Sequence, residues 1–93
     1  MTDNNTIAIN YSDGRLRVLV EEFVTQQRGK FTLKGVCTYV LYWAMEDGCT
    51  AGDGLFESNQ LAQGDCDRVS NVLAKIVREG RLAESGNEVY CKL

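Results

Sequence analysis

SNQLAQGDCDRVSNVLAKIVREGRLAESGNEVYCKL, from Ser58 to Leu93, contains three segments whose order decides the fold. Ser58 is a good N-cap for a brief helix, Asn59 to Gln63, anchored by Leu61 and Ala62. Gly64-Asp65 breaks the chain, and the turn at 64–67 lets a second helix cross the first steeply. Asp65 or Asp67 caps that second helix. Val69, Val72, Leu73, Ile76 and Val77 then recur with the period of an α-helix. Gly80 supplies the left-handed position that closes a helix. Arg81 to Ser85 and Glu88 to Leu93 read as two strands. Gly86-Asn87 is the two-residue turn between them, because both residues tolerate positive φ.

Upstream, Leu55-Phe56-Glu57 reads as a short strand after a glycine-rich loop, Cys49 to Gly54. That loop lacks the lysine and hydroxyl of a phosphate-binding P-loop. A helix starts after Thr32, whose side chain can cap its first amides, with Phe31 and Val36 placed for a hydrophobic staple. Its stripe is Val36, Cys37, Val40, Leu41 and Ala44, and Gly48 closes it. An N-terminal helix spans 12–29, with Leu16, Leu19, Val20, Phe23 and Val24 on one face and Gly29 ending it after Arg28. A hairpin over the same residues is the weaker reading, because the helical period continues to Val24. Thr6 to Tyr11 alternates weakly and reads as a short strand or an extended arm. Residues 1–11 are therefore expected to be a flexible or extended arm and residues 32–93 the core. All 93 residues form one domain.

A short helix, a tight turn into a longer amphipathic helix and then a hairpin resemble the winged helix-turn-helix superfamily. The residues that carry the resemblance are Leu61-Ala62, Val69-Ser70-Asn71-Val72-Leu73 and Arg78-Glu79-Gly80-Arg81-Leu82. It covers residues 36–93, with the Val36–Asp47 helix as the family's first helix. It implies an α+β fold, a winged helix with an extra N-terminal helix in the order α-α-(β)-α-α-β-β.

In that family the long helix enters the DNA major groove. The outward face here is expected to hold Asp67, Asn71, Ala74, Lys75 and Arg78, with Arg68 and Ser70 at its borders. The resemblance makes Arg68, Ser70, Asn71, Lys75 and Arg78 the DNA-reading set. Asn71 would pair with adenine, and Arg68 or Arg78 with guanine or phosphate. Asn87 and Lys92 would contact the backbone from the wing. The expected role is a non-enzymatic transcriptional or replication regulator that binds double-stranded DNA as a homodimer, since one small reader contacts few bases.

Charge favours an alternative, a winged-helix adaptor or inhibitor that binds a protein. Net charge is −3, whereas phosphate binding favours basic surfaces. From Asp65 to Leu93 five basic residues face five acidic ones, so a solvated helix face also accounts for Arg68, Lys75 and Arg78. Arg28, Lys30 and Lys34 form a small basic cluster that reads as a polar loop or a secondary phosphate contact. Tyr39, Tyr42 and Trp43 exceed what one core face requires, so part of this set is a candidate interaction surface.

Catalysis and metals find little support. The chain has no histidine, which removes Ser-His and Cys-His dyads. Cys37, Cys49, Cys66 and Cys91 include no close pair of the kind zinc sites use. Reduced cysteines, mostly in the core, are the expectation, with Cys49 the one exposed thiol; a redox or metal sensor is the third function class. No cofactor is expected. Met1 to Thr6 has no signal-peptide character and no apolar run is long enough to span a bilayer, so the expected location is cytoplasmic.

Overall fold

The computed structural model describes residues 6–51 and 60–93. Its elements are β1 (Thr6–Ile9), α1 (Asp13–Gln26), β2 (Lys30–Thr32), α2 (Leu33–Glu46), β3 (Thr50–Ala51), β4 (Gln60–Leu61), α3 (Gln63–Arg78), β5 (Leu82–Gly86) and β6 (Val89–Lys92). They make a small α+β domain with three helices among the described residues. One sheet, in the order β2-β6-β5, is antiparallel; the other, β3-β1-β4, pairs β1 antiparallel to β3 and parallel to β4.

The helix ends follow local chemistry. Ser12 and Thr32 have extended backbones, and their hydroxyls accept the amides of Arg15 and Gly35 at 3.2 and 3.1 Å. At the end of α2, Gly48 (φ 71°) lets its own amide reach Met45 O and the Cys49 amide reach Ala44 O. Gly80 (φ 84°) repeats this at the end of α3, where Gly80 N reaches Val77 O and Arg81 N reaches Ile76 O. Both ends are Schellman motifs, which satisfy carbonyls that helices otherwise leave open.

The helical stripes meet in one core. Leu16, Leu19, Val20 and Val24 of α1 lie against Val36, Val40, Leu41 and Ala44 of α2 and Val69, Leu73 and Ile76 of α3. Phe31, Leu82 and Tyr90 cover this core from the antiparallel sheet, and Ile7, Ile9, Tyr11 and Leu61 extend it from the other. Phe23, Val72 and Val77, read with these stripes, are only partly buried.

Several expected boundaries are corrected. Among the described residues the short helix expected over Asn59 to Gln63 gives way to a strand, Gln60–Leu61, in register with Thr6 and Ile7. The break at 64–67 is absent, and α3 begins at Gln63 and runs through Gly64 and Asp65. Ala62 stands at its N-cap position with no side-chain cap. Asp65 does not cap, because its Oδ2 accepts the Ile9 amide at 3.0 Å while Oδ1 accepts from Arg68. That tertiary bond offsets the roughly 1 kcal/mol that a glycine inside a helix costs. Thr6–Ile9 is a paired strand rather than a free arm, since Ile7 and Ile9 are buried.

The core is not confined to 32–93, and α1 is not an appendage but one of its three helices. α1 ends at Gln26, so Arg28 lies outside it and no basic residue sits in its last turn. The chain leaves the helix early because Lys30–Thr32 pairs with β6, bringing Phe31 opposite Tyr90 with their rings stacked at 5.8 Å.

The hairpin turn is Asn87-Glu88, one residue beyond Gly86-Asn87. The reason is side-chain alternation. The observed register pairs Leu82 with Lys92 and Glu84 with Tyr90, which puts buried Leu82 and buried Tyr90 on the same face. A turn at Gly86-Asn87 would put them on opposite faces. A bulge between Glu84 and Gly86 absorbs the difference. The Leu55–Glu57 strand, Ser58 and residues 1–5 lie outside the described residues, as does the second half of the Cys49–Gly54 loop.

Candidate functional site

α3 is amphipathic along its whole length. Val69, Leu73 and Ile76 are buried, and Gln63, Asp67, Asn71, Ala74, Lys75 and Arg78 are exposed. The outward face expected from helical periodicity is therefore present, one turn longer because it begins at Gln63. Gln63 Nε2 donates to Asp67 Oδ1 at 3.0 Å along that face. Asn71, Lys75 and Arg78 lie at i, i+4 and i+7, close enough to touch one ligand.

Two residues of the expected set are spent on the fold. Arg68 is half-buried. Its guanidinium donates to Asp65 Oδ1 (3.0 Å), Asp13 Oδ1 (2.9 Å) and the Tyr11 carbonyl (2.7 Å). It clamps α3 to the segment between β1 and α1 and is not a free reader. Ser70 is half-buried, and its hydroxyl tempers the upward shift of the nearby Tyr90 phenol. The Tyr90 phenol is pushed up, first by burial and then by nearby Glu84.

The wing residues also separate. Asn87 is exposed in the turn. Lys92 pairs with Leu82 at the foot of the hairpin, and its Nζ donates to the Thr25 carbonyl near the end of α1, at 3.1 Å. It is too far along β6 to act with the tip. Glu84, Ser85 and Glu88 are the other exposed side chains near the tip.

Charge pairing divides the cations. Arg17 and Arg81 bridge Glu21 and Glu79, joining α1 to the end of α3 and the start of β5. The Arg81 and Arg17 guanidiniums hold the Glu21 carboxyl down at about 2, Arg81 having the larger effect. Arg15 lies 4.0 Å from Asp47, which also accepts the Tyr11 hydroxyl at 2.6 Å. Burial, helped by Asp47, pushes the Tyr11 phenol up. Among the described residues Lys75 and Arg78 enter no ion pair, nor do Arg28, Lys30 and Lys34.

The aromatic candidates also divide. Tyr39 is half-buried in a chain of edge-on ring contacts, Phe31–Phe23–Tyr39–Trp43–Tyr42, at 5.3 to 6.4 Å. Tyr42 (45%) and Trp43 (38%) are the exposed members.

A cleft of about 390 Å³ lies between α2 and the start of α3, lined by Leu33, Cys37 and Leu41, by Leu61 and Cys66, and by Glu88 of the turn. Cys49, Cys66 and Cys91 are all half-buried, so Cys49 is not the single accessible thiol. Among the described residues no three acidic or cysteine side chains converge on a point where a metal ion could sit. No helix there is long and apolar enough to cross a membrane.

Two functional features escaped sequence reading. Gln63 joins the exposed face, and the i, i+4, i+8 run Gln63-Asp67-Asn71 could have revealed it. That Cys37 and Cys66 line one cleft had no signal, because the residues are far apart in sequence. Comparisons with protein-family models, curated proteins and solved structures return no match.

Proposed function

We propose that this chain is a non-enzymatic cytoplasmic winged-helix module that binds double-stranded DNA through α3 and the β5–β6 hairpin, as a transcriptional or replication regulator. The order α1-β2-α2-α3-β5-β6 supports the winged-helix reading. α2 and α3 then serve as the helix-turn-helix pair and β5–β6 as the wing. In this reading α1 is the family's first helix, a role the sequence resemblance had given to α2.

One observation carries the DNA reading. The molecule ties Arg15, Arg17, Arg68 and Arg81 to its own carboxylates, yet leaves Lys75 and Arg78 outside any described ion pair, on the exposed helix face that also presents Asn71. Amide and basic side chains on a protruding helix are the groups that read base edges and phosphates.

Fluorescence anisotropy on a mixed-sequence duplex pool, repeated over a salt series, tests it. With two such cations on α3, log K should fall against log salt with a slope of about −2 per chain. Lys75→Ala or Arg78→Ala should each weaken binding and make that slope shallower by about one. No binding to any duplex at low salt would overturn the reading.

A second reading, a surface for a protein partner, is favoured by Glu84 and Glu88 at the wing tip and Asp67 on α3. These place carboxylates where phosphates would approach. Exposed Tyr42 and Trp43 on α2 support self-association. Light scattering on the concentrated protein should give a dimer mass, and Trp43→Ala should return it to monomer. A monomer mass for the parent chain would remove the homodimer.

A further inference from the structure

β2 lies at one edge of the antiparallel sheet. Among the described residues the strand order is β2-β6-β5, and no strand pairs with the far side of β2. The Leu33 amide donates to the Glu88 carbonyl at 3.0 Å, which fixes the alternation of the ladder. In the register Lys30–Cys91, Phe31–Tyr90 and Thr32–Val89, it is then Phe31 that bonds towards β6. The amides of Lys30 and Thr32 and the Lys30 carbonyl point the other way, off the edge of the sheet. Such a row of backbone groups is a template for one more extended chain.

Charge selects the kind of chain. From Phe23 to Met45 the sequence holds Arg28, Lys30 and Lys34 and no acidic residue, although the whole chain has a net charge of −3. All three cations are exposed and enter no ion pair among the described residues. Phe31, between Lys30 and Thr32, faces the core instead. Its ring meets Phe23 edge-on at 5.5 Å, and Phe23 meets Tyr39 at 5.3 Å. Phe23 and Tyr39 are only partly buried, so apolar surface remains beside Phe31.

We propose that the β2 edge binds an extended acidic segment of a partner protein, added to the antiparallel sheet as a further strand. Alternate carboxylates of that segment lie beside Lys30, with Arg28 and Lys34 flanking β2 in the chain, and the apolar side chains between them lie beside Phe31. A second copy of this chain is a poor occupant, because pairing two β2 edges sets Arg28 and Lys30 against their own kind. The site does not depend on what α3 binds.

The test titrates the purified full chain into a fluorescein-labelled octapeptide that alternates glutamate and valine, followed by fluorescence anisotropy at low salt. Amide hydrogen exchange by NMR locates the contact. Binding is expected, with exchange at the Lys30 and Thr32 amides slowed about tenfold at saturating peptide. The Phe31 and Leu33 amides, already bonded to β6, should change little. Lys30→Glu should weaken binding about fivefold. Should that charge reversal unfold the chain, Lys30→Gln should still weaken it about twofold. Lys75→Ala should bind the peptide as the parent chain does. A lysine–valine octapeptide should not bind, nor should the glutamate peptide N-methylated throughout, which keeps its charge but cannot complete the ladder. Absence of binding at low salt would overturn the proposal, and so would equal binding of the N-methylated peptide. A DNA duplex that displaces the peptide from the parent chain, and that Lys30→Gln no longer binds, would make the cluster a phosphate site and also overturn it.

Discussion

Glu88 holds its backbone at φ 60°, the one described non-glycine residue in the left-handed region. Its carbonyl accepts the Leu33 amide at 3.0 Å, tying the hairpin turn to the start of α2. A side chain at positive φ costs roughly 1 kcal/mol, part of which glycine would return as chain entropy in the unfolded state. Glu88→Gly should therefore stabilise the domain by about 0.5 kcal/mol, roughly 3 °C in melting temperature, by calorimetry. A lower melting temperature would show that the glutamate side chain contributes more than its strain costs. Asp65 and Arg68 carry the opposite lesson. They lie on a helix that sequence assigns to recognition, yet their charges bond β1, the α1 start and each other. Near a fold's seams, a charged side chain on a helix border is used first for assembly.

At the scale of elements, α1 and the α3–β5 junction are joined by Glu21 between Arg17 and Arg81. Glu21 lies well below its ordinary value of 4.5, at about 2. A lowered carboxyl pKa contributes stability that is present above the unfolded value and lost as pH falls from about 4.5 towards 2. Because the network is partly solvated, Glu21→Gln should cost only about 1 kcal/mol at neutral pH. The difference from the parent chain should vanish near the lower end of that window. Urea denaturation at several pH values measures it, and a difference independent of pH would contradict the assignment. The helix ends are simpler. Thr32, Gly48 and Gly80 act through their immediate neighbours, so they work wherever the tertiary structure carries them.

Across the whole molecule, the strand pair β1–β4 turns an arm into part of the core. Ile7 and Leu61 lie opposite each other and are both buried, although their segments are far apart in sequence. Leu61→Ala should cost about 2–4 kcal/mol in chemical denaturation, as for a core leucine. A loss below about 0.5 kcal/mol would place Leu61 in a peripheral helix of the kind first expected from Ser58 to Gln63.

The three helices, the cap at Thr32, the buried stripes and the exposed face of α3 were legible in the sequence. So was the existence of the terminal hairpin. Period and capping are local properties, and neighbouring residues suffice to set them. The pairing of Gln60–Leu61 with β1, the unbroken helix through Gly64, the register of the hairpin and the diversion of Arg68 and Lys92 into the fold were decided only in three dimensions. Each depends on a partner remote in sequence: Thr6 and Ile7 for β4, the Ile9 amide for Asp65, Phe31 and the core for Tyr90, and the Thr25 carbonyl for Lys92. The opening stretch, Ser58 to Leu93, thus determined by itself a long amphipathic helix and a hairpin. Where that helix begins, and which of its polar residues remain outward for a partner, only the tertiary structure decided, because tertiary hydrogen bonds and burial outweigh local propensity by a kilocalorie or more.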